Sequence, residues 1–423
     1  MDVPAKRIQD IMVQVVKKFS TMENFIKKIN SKDLTDLKRI PSDGPYSEDG
    51  KKLRLDFLKN ELKKELPAVS GEKPMTNLNI EGNIENYIGM AQIPIGIMGP
   101  LKVKGLYAFG DYCVPLATTE GALVASYHRG AKACSLAGGV SSFFLGEGVQ
   151  RCPLMLFKNV ADAGVFVIWI HQKIEEFNAI VAKTSGHAKL QNVECMIQGN
   201  QVILTFDYAT GDASGQNMVT ICTQAICEFI VENSPANILK WYIEGNYSGD
   251  KKANAVSFAR VRGRKVTAEV SIPEDIVKGV LKTTPHEIAE YWKASTVAVL
   301  QTGSLGAQGH FANGLTAMFI ACGQDVACVS EAAVGITRME VTDEGDLYAS
   351  VTLPNLIVGS IGGGTKLPTQ RECLELMDCY GLGNANKFAE ICAAVVLSGE
   401  ISIAAAMSAG HFTSAHKDLG RKK

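Results

Sequence analysis

The chain has no excess of charge of either sign: 43 lysines and arginines stand against 44 aspartates and glutamates, a formal net charge of -1 over 423 residues. Global attraction to nucleic acid or to an anionic membrane is thereby excluded, and any anion binding must be local. Its 11 cysteines are odd in number and include no Cys-x-x-Cys pair, which argues against a disulfide framework or a zinc cage and fits a reducing cytoplasm. No complete G-x-G-x-x-G follows a strand-like run, so a Rossmann dinucleotide fold is not expected. Met1 to Ser20 mixes Asp2, Lys6, Arg7, Asp10, Lys17 and Lys18 with apolar residues, unlike a secretory leader. The longest uncharged stretch, Ala294 to Gln324, carries Gln301, Ser304, Gln308, His310 and Asn313, which a lipid-facing helix would not tolerate.

What is present is the composition of a globular protein, 46% hydrophobic with 40 glycines, long enough for two to three compact units at about 150 residues each. Residues 1–66 are lysine-rich. Ile8, Ile11, Met12, Val15 and Val16 recur at helical spacing, predicting an amphipathic helix, with a second charged helix from Lys51 to Leu66 before Pro67. Residues 67–153 and 245–409 read as one large α/β unit. Between them, residues 154–244 read as an inserted α+β unit. In that insert Val165 to Trp169 is expected as a strand, Val193 to Phe206 as further strands, and a long helix from about Ala213, whose Met218, Ile221, Cys222, Ala225, Ile226, Phe229 and Ile230 form one apolar stripe. Residues 410–423 form a polar tail.

Several short constellations admit a chemical reading beside a plain one. Asp212 to Asn217 opens the long helix with small and polar residues; its free N–H groups and the helix dipole suit a phosphate, or Asp212 simply caps the helix. Gly362, Gly363 and Gly364 permit close backbone approach to a ligand, or a sharp turn. Asp250-Lys251-Lys252 is a solvated loop, or one lysine polarises a carbonyl while the other clamps a carboxylate. Glu120 and Asp325 stand among small and apolar residues, where burial would raise a carboxyl into the range of a proton donor, or each caps a helix. His411 and His416 lack acids at metal-ligand spacing, so no metal is expected.

Taken in order, these blocks resemble a known family. Asn83 to Gly89 with Pro94 to Pro100, Thr118 to Gly121, Asp212-x-x-Gly215-x-Asn217, Gly245 to Lys252, Gly323 to Asp325, Gly362 to Thr365, and Gly410-His411 with His416 are similar to the signatures of 3-hydroxy-3-methylglutaryl-CoA (HMG-CoA) reductase, in a soluble prokaryotic form of its eukaryotic-like class. The resemblance implies reduction of the HMG-CoA thioester to mevalonate and free coenzyme A at the cost of two NADPH, in the mevalonate route to isoprenoids, without a metal. By position, Lys251 would stabilise the oxyanion, Glu120 would donate a proton in contact with Lys251 and Asp325, Asp325 would hold that network, and His416 would protonate the departing thiolate. Arg151, Asp250, Lys252, Lys293 and Asn313 would contact the substrate. Ser185, His187, Asp212, Ser214, Gln216, Asn217, Gly362, Gly363, Gly364 and Arg421 would contact the cofactor.

The implied fold is a large α/β substrate domain around a long central helix, an inserted ferredoxin-like dinucleotide domain, an N-terminal helical domain, and active sites shared between subunits of a dimer or tetramer in the cytoplasm. Gly186 stands where the family's eukaryotic members carry arginine, which weakens the preference for NADPH over NADH. Ser214, Gln216 and Glu244 also depart from the pattern. Two other readings are an NADH-linked catabolic homologue that oxidises mevalonate and a non-catalytic scaffold; the retained Glu120, Lys251, Asp325 and His416 count against the scaffold.

Overall fold

A computed structural model describes residues 3–31, 37–73 and 80–410. It is a mixed α/β structure with eleven strands among the described residues: β1 (Ile95–Lys104), β2 (Phe109–Ala117), β3 (Val140–Arg151), β4 (Leu154–Leu156), β5 (Lys189–Gln198), β6 (Gln201–Ala209), β7 (Lys240–Tyr242), β8 (Gly263–Ile272), β9 (Gly306–Ala307), β10 (Gly335–Val341) and β11 (Leu347–Leu356). They run in the order β7-β4-β6-β3-β8-β11-β10-β9, with β1 beside β3, β2 beside β1 and β5 beside β6. Strand β3 links two halves of this path. Its Ser141–Gly148 part pairs antiparallel with β8, and Val149–Arg151 pairs with β6.

The helix Ala385–Ser408 is the core element. It is long and apolar enough to cross a membrane, yet its residues are buried inside the protein. It packs on β8, β11 and β3 and on the helix Leu123–Leu136. The two helices approach so closely at Gly130 that an added Cβ would lie 1.8 Å from the Ser398 carbonyl oxygen. Two buried glutamates tie this helix to loops. Glu390 accepts the N–H groups of Leu106, Tyr107 and Ala108 at 3.1, 2.8 and 2.7 Å. Burial pushes its carboxyl up to about 7 although those N–H groups favour the charged form. Glu400 accepts the N–H groups of Gly309 and His310, both at 2.7 Å, and so fixes the start of the helix Phe311–Ala321.

Sequence periodicity misassigned one element. Val165 to Trp169 lies inside a helix, Val160–His171, capped by Asn159 through the Asp162 N–H. Ala163, Phe166 and Ile170 are its buried face, while Val165 and Ile168 are 51% and 66% exposed. The run looked strand-like because apolar residues occupy the outer face as well. The next long helix begins at Gln216, not Ala213, since Gly215 turns the chain at a φ of 83°. At the N-terminus, Val3–Phe19 is helical and buries Ile11 and Val15, but Ile8, Met12 and Val16 are exposed. The second charged helix runs from Glu48 to Leu62.

Candidate active site

Three loops meet where β-strand ends and helix ends converge. The Gln324 side chain clamps the glycine segment: its Oε1 accepts the Gly359 N–H at 2.8 Å and its Nε2 donates to the Gly359 carbonyl at 3.0 Å. Gly323, at a φ of 66°, packs so tightly that a Cβ would lie 2.4 Å from the Gly364 carbonyl oxygen. On the other side, the Ser360 N–H donates to the Asp212 carbonyl at 2.9 Å. The two segments expected to contact a dinucleotide are therefore neighbours.

Asp212 does not cap the helix that follows it. Its carboxylate accepts the N–H groups of Gly383 and Ala385, at 2.7 and 3.2 Å, and so caps the central helix instead. The helix Gln216–Asn233 has no side-chain cap, which leaves its first N–H groups available to an anion. Gly362 and Gly363 have φ of 81° and 49°, with open space where a Cβ would stand. The open backbone leaves room for a phosphate-bearing group, and the residues present would fit a dinucleotide. Gln216 donates to the Cys328 Sγ at 2.8 Å, Ser214 is half-buried and Asn217 is exposed. Ser185 accepts the His187 and Ala188 N–H groups, both at 3.2 Å, in an exposed turn.

Lys251 adopts a left-handed φ of 56°. Its Nζ lies 3.0 Å from Asp325 Oδ2, and the two side chains remain 45% and 42% exposed. The hydrogen bond to Asp325 raises the Lys251 ammonium above its usual range against some desolvation. For Asp325, partial burial pulls the carboxyl up, but the Lys251 bond and charge outweigh it and the net direction is down. Asp325 is thus a carboxylate at neutral pH, contrary to the expectation of a raised acid; the lysine decides the sign. It also accepts the Ala327 N–H at 3.1 Å, so the capping role holds too.

The residues expected to contact substrate are partly engaged. Arg151 is buried, with Nη1 at 3.1 Å from Glu244 and 3.6 Å from Asp250. Asp250 also takes Arg262 at 2.7 Å. Lys252 is exposed and donates to the Asp250 carbonyl at 2.9 Å. Lys293 is exposed on the helix Pro285–Gln301.

Glu120 lies elsewhere and is exposed, not buried as expected. It precedes the helix Leu123–Leu136, and its Oε2 accepts from Asn313 Nδ2 at 2.7 Å. With Thr118, Asn313, Thr316 and Ile320 it lines a cleft of about 350 Å³. Asn313 sits in the first turn of the helix Phe311–Ala321, whereas Asp325 follows that helix's other end. At about 1.5 Å per residue, roughly 12 Å of helix axis separates Asn313 from Ala321. The expected contact of Glu120 with Lys251 and Asp325 is therefore not made within one chain.

His411, His416 and Arg421 lie outside the described residues. Two residues that motif reading missed are Arg262 and Glu331, a buried pair at 3.2 Å behind the Lys251 loop. Neither falls in a recognisable motif, and only their burial among charges marks them.

The family model described as hydroxymethylglutaryl-coenzyme A reductase matches residues 51–421. The chain is 48% identical over 347 residues to the 3-hydroxy-3-methylglutaryl-coenzyme A reductase of Pyrococcus abyssi, covering 80% of this chain and 85% of that protein. With the enzyme of the same name from Methanocaldococcus jannaschii it shares 40% over 374 residues, 87% and 92% of the two chains. With 3-hydroxy-3-methylglutaryl-coenzyme A reductase 1 of Dictyostelium discoideum it shares 35% over 384 residues, 88% and 68%. Its fold is similar to that of the class II reductase from Streptococcus pneumoniae solved with NADPH, at a TM-score of 0.67 and 19% identity over 84% of this chain and 96% of that one.

Proposed function

The chain belongs to the hydroxymethylglutaryl-coenzyme A reductase family, and from that premise we propose that it reduces HMG-CoA to mevalonate and free coenzyme A with two NADPH. The observation that carries this reading is the Lys251–Asp325 ion pair at 3.0 Å, set on loops joined through Gln324 to the glycine cradle. When bound, the dinucleotide supplies the electron pairs that take the thioester carbonyl to an alcohol. Gly362 to Gly364, the uncapped start of the helix Gln216–Asn233, Ser214 and the Ser185–His187 turn would hold it. Residues 154–244 form its binding unit in this reading, with Arg421 from the tail.

The chain's own groups divide the remaining work. Lys251, kept charged by Asp325, places its Nζ where negative charge develops on the substrate oxygen. Asp325 fixes that ammonium in direction. Glu120 is the proton donor, and Asn313 orients it by donating to its Oε2. His416 protonates the departing thiolate. Because Glu120 and Lys251 stand at opposite ends of the helix Phe311–Ala321, Glu120 of a second subunit completes the site around Lys251. The exposed Ile84, Tyr87, Ile88 and Met90 support such an assembly, since apolar side chains clustered on a surface mark interfaces.

The 35% identity to the Dictyostelium enzyme against 19% to the class II structure supports placement in the eukaryotic-like class. Gly186 is exposed, with open space at its Cβ, so no side chain there reaches for a 2′-phosphate; Lys189, His187 or Arg421 takes that role. We place the enzyme in the cytoplasm.

Purified protein given HMG-CoA and either cofactor tests the reading. Oxidation of two NADPH for each coenzyme A thiol released, faster than with NADH, is the expected result. No substrate-dependent oxidation from folded protein would leave the scaffold, and a preference for NADH the catabolic homologue.

A further inference from the structure

Asp325, Cys328 and Glu331 are spaced three residues apart along the 3-10 turn Val326–Cys328 and the short helix Val329–Ala332. That spacing puts them on one side of a tight helical segment. Each meets a group from the site: Asp325 the Lys251 Nζ, Cys328 the Gln216 amide, and Glu331 the Lys251 backbone N–H. Lys251 is therefore held at both ends, side chain and main chain, by one segment.

The main-chain grip has a reason. Lys251 is in the left-handed region, which a residue with a Cβ enters only when its surroundings hold it there. Glu331 is fully buried, and its Oε2 accepts from both the Lys251 N–H and Arg262 Nε. Arg262 in turn donates to Asp250 Oδ1 at 2.7 Å and to the Gln150 carbonyl at 3.3 Å. Glu331 and Arg262 thus bracket the Asp250-Lys251 dipeptide, one taking the lysine's N–H and the other the aspartate's carboxylate. If the backbone relaxed to an extended φ, the lysine side chain would swing off Asp325.

We propose that Glu331 is a positioning residue for Lys251, acting through its backbone N–H to keep the ammonium against Asp325. The inference rests on the reading that Lys251 is the oxyanion stabiliser. A purely structural role would predict lost stability without a selective effect on Lys251.

The test is a double-mutant cycle on the full-length enzyme. Glu331→Leu, which removes the acceptor, should lower kcat by about 10- to 100-fold, the scale of a misplaced catalytic group, with KM values within about threefold. In a Lys251→Ala background the same change should alter the residual kcat by less than about twofold, because the partner it acts through is gone. A second readout needs no catalysis: NMR titration of dimethylated lysines, with Lys251 assigned by its absence in Lys251→Arg. The raised Lys251 titration should move down in Glu331→Leu toward that of an ordinary lysine. Glu331→Asp, which keeps a charge beside Arg262 but withdraws it from the N–H, should behave alike and serves if the leucine variant does not fold. Unchanged kcat and titration in both variants, or an equal loss in the Lys251→Ala background, would overturn the proposal. An inactive wild type whose Lys251 titration still responds to Glu331 would instead defeat the catalytic reading alone.

Discussion

Lys251→Ala is expected to lower kcat for substrate-dependent NADPH oxidation by about a thousandfold, the upper range for removal of one preorganised donor to an oxyanion. The KM for HMG-CoA should change little, because the bond is made to charge that exists only as the reaction proceeds. Stability should be nearly unaffected. The side chain is 45% exposed and its partner 42%, and an exposed ion pair contributes about 1 kcal/mol at most. Removing the lysine also frees Asp325 from the charge that holds its carboxyl down, so its titration should rise. Steady-state kinetics beside a thermal melt check both halves. A variant retaining more than about a tenth of wild-type kcat would move the oxyanion stabiliser elsewhere.

Gly130→Ala should damage folding more than any loss at the site. Its Cβ would stand 1.8 Å from the Ser398 carbonyl oxygen, and both atoms belong to backbone inside packed helices, Leu123–Leu136 and Ala385–Ser408. Neither can yield as a side-chain tip does, so the helices must separate. The buried Tyr127, which an added Cβ at Gly314 or Gly399 would also strike, sits at the same crossing. A cost of about 3 kcal/mol or more is expected, the upper range for overpacking. Soluble yield and melting temperature should both fall. Gly164→Ala is the control, because it lies in the helix Val160–His171 with nothing within 4 Å of an added Cβ; there alanine should be neutral or stabilising by up to about 1 kcal/mol.

Residues whose chemistry depends on backbone order were legible in the sequence. Gly362 to Gly364, Gly323-Gln324-Asp325 and Asp250-Lys251 each admit a plain reading alone, a turn, a cap or a solvated loop, and stand out only through their joint order in the family resemblance. The structure joins these segments. Charge balance was not legible in the same way. Asp325 read as a raised acid from its neighbours in sequence, yet a lysine far along the chain pulls it down. Arg151 was expected only to contact substrate, and its ion pairs with Glu244 and Asp250 gave no sign in the sequence. Asp212, for which an anion site and a cap of its own helix were both open, caps another helix instead. In each case the deciding partner is remote in sequence, and local pattern carries no signal of it. Val165 to Trp169 failed for the opposite reason: local hydrophobicity was strong but ambiguous between periods, and the Asn159 cap was the overlooked cue.

Co-expression of Glu120→Ala with Lys251→Ala chains tests most directly whether one site is built from two subunits. Each variant alone should be inactive. Random pairing into two-fold dimers leaves one intact site in half of the dimers, so about a quarter of wild-type activity should return. Mixed enzyme as inactive as its parents, with exchange of subunits verified, would contradict the account, because it would require Glu120 and Lys251 to act within a single chain.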